Sequence, residues 1–199
     1  TTRFRSKSHA RDRQGALEHL EQTLSNMKTD HLDLWQIHDI RTKDDVDQIM
    51  GKGGAIEAFD LARSRGMARF LGVTGHHDPH VLEQIINLYD FDTVLIPVNP
   101  AEPHYKCFLD LIAPVASKKK MGIVGMKIYF RGMAQRIPGF PGMLPFFRYA
   151  LSQPVSLCVV GCDSTQQLRE NVLFAKEFDH MSVEEKLSLE QYVQPFARS

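Results

Sequence analysis

The chain has 199 residues, and its 24 basic side chains are balanced by 24 acidic ones at a pI of about 7.1. That length suffices for one sizeable core and predicts a single domain over 1–199. The neutral balance excludes the electrostatic footprint of a protein that binds DNA, RNA or an anionic membrane, and no run reaches the roughly 20 apolar residues of a membrane span.

Strand-like and helix-like segments alternate along the chain with short connections. Residues 1–6 alternate as a strand that ends at Lys7. A helix over 12–27 follows, with Ala16, Leu17, Leu20, Leu24 and Met27 on one face. The run Leu32-Asp33-Leu34-Trp35-Gln36-Ile37 reads as a strand covered on both faces and ends on His38. A helix over 44–65 is predicted next, loosened in its middle by Gly51, Gly53 and Gly54 and stopped by Gly66.

Further strands are predicted over 68–73, 93–98, 122–126 and 155–160, and further helices over 80–88, 105–119, 144–151, 166–178 and 182–193. Pro138, Pro141 and Pro145 mark a long irregular connection. Ser182 and Glu185 have the spacing of a capping box. Six strands alternating with helices specify an α/β fold with a parallel sheet, either a TIM-type barrel or a doubly wound sheet.

The three cysteines, Cys107, Cys158 and Cys162, are too few for a disulfide framework, and no second pair joins Cys158 and Cys162 in a zinc motif. Reduced thiols in a cytoplasmic protein are expected. His76, His77 and His80 resemble a metal cluster, but with only Asp78 at ligand spacing they read as a solvated loop and helix cap, and no metal site is assigned. Phe140, Phe146, Phe147 and Tyr149 read as core or as a flap over the barrel mouth. Lys127, at a strand end, also has the position of a Schiff-base lysine in an aldolase-like barrel.

Three stretches resemble the aldo-keto reductases, in that family's order. They are Gly15 to Leu24 with Lys28 to His38, then Gly66 to His76, then Gly161 to Asn171. The resemblance covers nearly the whole chain and implies a (β/α)8 barrel whose first two strands would lie ahead of Thr1. It implies reduction of an aldehyde or ketone with NADP(H) or NAD(H), bound without the G-x-G-x-x-G loop that this chain lacks.

Of the family's aspartate, tyrosine, lysine and histidine, Lys7 matches the lysine, with Arg3 as a competing alignment, and His38 matches the histidine. The other two belong to the preceding segment, so these residues alone are expected to be inactive. His38 read without the family is a strand-end histidine bonded to a backbone carbonyl. As cofactor contacts the resemblance implies Thr74 and Gly75 in place of a Ser-Asn pair and Met126 with Lys127 near the nicotinamide. Gly161, Cys162 and Gln167 fall at the phosphates, and Glu170 with Asn171 at the adenine. Gly75, Leu95 and Gln167 depart from the family pattern, and the alternative they raise is a barrel that binds or regulates.

Overall fold

A computed structural model describes residues 4–197. The chain divides into two compact units, Thr1–Leu95 with Pro114–Gly122 and Ile96–Ala113 with Ile123–Ser199. In the first unit, strand β1 (Arg5–Ser8) leads through Asp12, whose side chain accepts the Gly15 N–H at 2.8 Å, into helix α1 (Arg13–Met27). Its apolar stripe buries Ala16, Leu20 and Leu24, as the helical spacing requires. Strand β2 (Leu32–Ile37) has the predicted bounds. The part of the N-terminal strand prediction at 1–3 lies outside the described residues.

The helix expected over 44–65 is two helices, α2 (Lys43–Met50) and α3 (Ala55–Ser64). The glycines break it rather than loosen it. Gly53 sits at φ +74°, and a Cβ on Gly54 would lie 2.3 Å from the carbonyl oxygens of both Gln48 and Ile49. Thr42 and Asp45 form a capping box that starts α2. Strand β3 (Ala68–Thr74) and helix α4 (Pro79–Leu88) follow, with Asp78 capping α4 at the His80 N–H.

Strand β4 (Thr93–Pro97) comes next in the chain. β1 pairs with β2, β2 with β3 and β3 with β4, all parallel, with Ile37 opposite Val73 and Thr74 opposite Leu95. The helices cover the outer face of these strands. Trp35 of β2 stacks on Phe59 of α3 with ring centroids 3.7 Å apart and planes within 4°. Leu20, Ile37, Leu71, Val73, Leu82 and Ile85 are fully buried with them.

Helix α5 (Phe108–Lys118) starts three residues later than predicted, because residues 102–104 form a separate 3-10 turn. Strand β5 (Gly122–Met126) agrees with the sequence reading. The strand expected over 155–160 shrinks to β6 (Leu157–Cys158), which pairs parallel with β5. In the second unit, helices α6 (Leu144–Leu151), α7 (Thr165–Lys176) and α8 (Val183–Val193) complete the fold, and Ser182 with Glu185 closes its capping box.

The aromatic group is core. Phe146 and Tyr149 pack with Ala134, Ile137, Leu189 and Val193, and Phe140 packs against them. All three cysteines are free thiols. No helix among the described residues is long and apolar enough to cross a membrane.

Gly54→Ala should lower stability by about 1–3 kcal/mol, because the backbone at α2 must move to admit the methyl group. Denaturant unfolding followed by the emission of Trp35, the single tryptophan, checks this; an unchanged midpoint would show that the turn is not constrained.

Candidate active site

His38 is the residue at which β2 ends, and the register that sets Ile37 against Val73 brings it beside Thr74. Thr74 is fully buried. Its hydroxyl oxygen accepts the Asp39 N–H at 2.8 Å and lies 3.0 Å from His38 Nδ1. With one bond accepted, the oxygen keeps a lone pair and a proton and can pair with Nδ1 in either tautomer.

Backbone bonds fix the same turn. The His38 N–H donates to the Ser8 carbonyl at 2.8 Å, and Ile40 N–H to the Thr74 carbonyl at 2.9 Å. Arg11 staples it from the side. Its guanidinium donates to the His38 carbonyl at 2.9 Å, to the Asp39 carbonyl at 2.8 Å and to Asp45 Oδ1 at 2.8 Å. The strand-end histidine thus does bond its neighbours through its backbone, while its ring bonds a side-chain hydroxyl.

Lys7 lies opposite Gln36 in the β1–β2 register, and Gln36 lies opposite Gly72. A Cβ on Gly72 would meet Gln36 Cγ at 3.1 Å and Thr93 Oγ1 at 2.3 Å, so the glycine makes room for a polar row next to Lys7. Desolvation, then the charge of Arg5, lowers the Lys7 pKa, and Asp39 opposes them. Desolvation, then the charges of Lys7 and His9, lowers the His38 pKa to about 4. Lys7 and His38 therefore share one electrostatic neighbourhood, with His9 ring-edge against His38 at 4.4 Å between centroids.

Asp39 is the residue that sequence reasoning missed. It sits at φ +58° and is 4% exposed. Burial opposes its ionisation, but the hydrogen bond from Arg41 and the nearby His76 and His77 outweigh it and hold its pKa below the usual range. The carboxylate that the sequence could not find for His76 and His77 is this one. Its Oδ1 lies 3.0 Å from His76 Nε2 and 3.4 Å from His77 Nε2. His80 stands apart, its N–H bonded to Asp78.

Gly75 is buried, with its N–H on the Leu95 carbonyl. A Cβ there would touch two Leu82 methyls at 3.1 and 3.2 Å, so an asparagine would not fit without a shift.

The remaining predicted residues lie in the second unit. A cavity of about 670 Å³ is lined there by Lys127, Gly161, Gln167, Glu170 and Asn171. Tyr129 and Arg131 also line it, and no sequence motif announced them. Cys162 is exposed and is not among the lining residues, and Met126 sits at the end of β5, its carbonyl accepting the Val98 N–H. Lys127 has φ +57° and its carbonyl accepts from Asn99 Nδ2. Tyr129 donates to Asn171 Oδ1 at 2.7 Å. The start of α7 faces this cavity through Ser164, which accepts the Gln167 N–H; Gln167 Oε1 in turn accepts the Asp163 N–H rather than closing a full box on Ser164.

A sequence profile of the Aldo/keto reductase family matches residues 2–136. The chain belongs to the aldo/keto reductase family. It is 22% identical over 185 residues to the uncharacterized oxidoreductase YqkF of Bacillus subtilis, covering 78% of this chain and spanning 58% of that protein. The holo form of aldo-keto reductase AKR11C1 from Bacillus halodurans superposes with a TM-score of 0.74 at 17% identity, over 95% of this chain and 72% of that one. Bombyx mori aldo-keto reductase AKR2E4, in complex with NADP, gives 0.68 at 17% identity, over 94% and 66%. The fold is thus that of the aldo-keto reductase (β/α)8 barrel.

Near the cavity, burial pushes the Glu102 pKa up to about 7 from 4.5, with Asn99 and Lys127 opposing. An acid whose pKa is raised on folding favours the folded state below the unfolded value and loses that advantage as pH rises through the folded one. Stability should therefore fall between about pH 4.5 and 7 by roughly 2–3 kcal/mol through this group, and Glu102→Gln should flatten that slope in urea melts at stepped pH.

Proposed function

We propose that the protein is an NAD(P)H-dependent oxidoreductase that reduces an aldehyde or ketone to an alcohol. The observation that carries this reading is the shared setting of Lys7 and His38 at the C-terminal ends of β1 and β2, where barrel enzymes hold their chemistry. Family membership supports it, as does the NADP complex of the Bombyx mori relative. A bound nicotinamide nucleotide supplies the hydride. The chain spans only part of its relatives, and the tyrosine and aspartate implied by the family resemblance have no counterpart among its matched motifs, so the activity is assigned to the natural full-length protein.

In the tautomer in which Thr74 donates to Nδ1, His38 carries its proton on Nε2, donates a hydrogen bond to the carbonyl oxygen and orients it for attack. Lys7 places a positive charge where negative charge develops on that oxygen and favours ionisation of the acid that donates there. Thr74, whose hydroxyl is spent on His38 and Asp39, is a positioning residue rather than a grip on the carboxamide. The donor set in the cavity fits the anionic part of a dinucleotide: Lys127 and Arg131 are cations, and the positive end of the α7 dipole lies there. Glu170 and Asn171 suit the adenine end. Gln167 is neutral and supplies no cation to a 2′-phosphate.

His38→Ala and Lys7→Met in the full-length protein should each lower kcat by about two to four powers of ten, with nucleotide affinity nearly unchanged. Thr74→Val should lower kcat and Thr74→Ser should restore it. Quenching of nucleotide fluorescence at micromolar NADPH and NADH measures binding; a folded full-length protein that binds neither overturns the reading.

A further inference from the structure

We infer that Asp39, His76 and His77 form a binding site for one divalent transition-metal ion of the zinc class. This inference is independent of the reductase reading. The three donor atoms, Asp39 Oδ1 and the imidazole nitrogens, all lie within 4.8 Å of one another. Two imidazoles and one carboxylate are a donor set for zinc and its neighbours, with one position left open.

The distances fit ligation. Metal–ligand bonds of about 2.0–2.2 Å at tetrahedral angles separate neighbouring donors by about 3.3 Å. The observed separations from Asp39 Oδ1 are 3.0 Å to His76 and 3.4 Å to His77. The competing arrangement is an ion pair with protonated histidines, which the same separations also suit. Asp39 Oδ1 is buried and receives no hydrogen bond, although both nitrogens are that near. A buried carboxylate oxygen that two imidazole nitrogens approach without a hydrogen bond leaves a point that all three can ligate.

Asp39 is also prepared for the role. Its N–H is taken by Thr74, its carbonyl by Arg11 and its Oδ2 by Arg41 at 2.7 Å, which leaves Oδ1 as the one polar atom directed at the two rings. Such outer partners hold metal-ligating carboxylates in place. Asp39 and His76 are largely shielded, whereas His77 is 43% exposed, so an ion has an entry route and a place for water or another ligand. Once bound, it would clamp the loop after β3 to the end of β2, tying together residues 37 positions apart in sequence.

The test uses the full chain, stripped with a chelator, in the absence of nucleotide. Zinc chloride titrated calorimetrically should bind at one equivalent with micromolar or tighter affinity and raise the Tm by about 4 °C or more at saturation. Cobalt(II) should give the intense visible bands of a low-symmetry, four-coordinate site. His77→Ala, at a half-exposed position that tolerates truncation, and His76→Gln should each weaken zinc binding at least about tenfold, while His80→Ala should leave it intact. No saturable binding, an unchanged affinity in His77→Ala, or an equal loss in His80→Ala would each overturn the site. If His76→Gln fails to fold, His77→Ala decides alone. Because the readout is binding and not turnover, a failed reductase assay does not bear on it.

Discussion

The parallel register of β2 against β3 is the constraint on which the site depends. With Ile37 opposite Val73, the two residues after β2 meet the last residue of β3, and a single hydroxyl, that of Thr74, serves both the Asp39 N–H and the His38 ring. A slip of one residue would turn every side chain of the strand to the other face and send His38 into the helical layer. Trp35 stacked on Phe59 guards against such a slip, because burial of two large aromatic rings holds the odd-numbered residues of β2 outward. The face left inward carries Gln36, next to Lys7.

The turn after β2 carries strain that its hydrogen bonds offset. A non-glycine residue in the left-handed region costs about 1–2 kcal/mol, and Asp39 occupies it. The bonds from its N–H to Thr74, from Arg11 to its carbonyl and from Arg41 to its carboxylate each contribute about 1 kcal/mol or more net. The outcome is a rigid corner in which His38 points one way and the Asp39 carboxylate another. Cations crowd this corner. Arg41 bonds the Asp39 carboxylate, Lys7 feels its charge, and the His38 imidazole is held neutral chiefly by desolvation and then by Lys7 and His9.

The second unit is organised around different physics. Its core is aromatic, its strand β6 has only two residues, and its cavity sits where α7 starts. Helix starts attract anions through their unpaired N–H groups, and Lys127 and Arg131 add charge to that attraction. Glu170 and Asp163 on the same lining temper it. The cavity therefore carries cations and carboxylates on one lining.

Local chemistry was legible in the residues themselves. Ser182 and Glu185 form the capping box that their spacing announced, Gly66 follows the end of a helix at a positive φ, and β2 spans the mostly apolar run read as a strand. The family motifs added Lys7 and His38 because motif and position coincide. Less was legible where a backbone clash rather than a pattern decides, as at Gly54, where two carbonyl oxygens divide one predicted helix into two. The partner of His76 and His77 was not legible at all. Asp39 stands 37 residues before His76, and no spacing rule joins them. By itself the sequence determined the alternation of strands and helices and the family, since each rests on neighbours in the chain. Only the tertiary structure decided what Thr74 holds and what Asp39 faces, because parallel pairing places strand ends side by side whatever their separation in sequence.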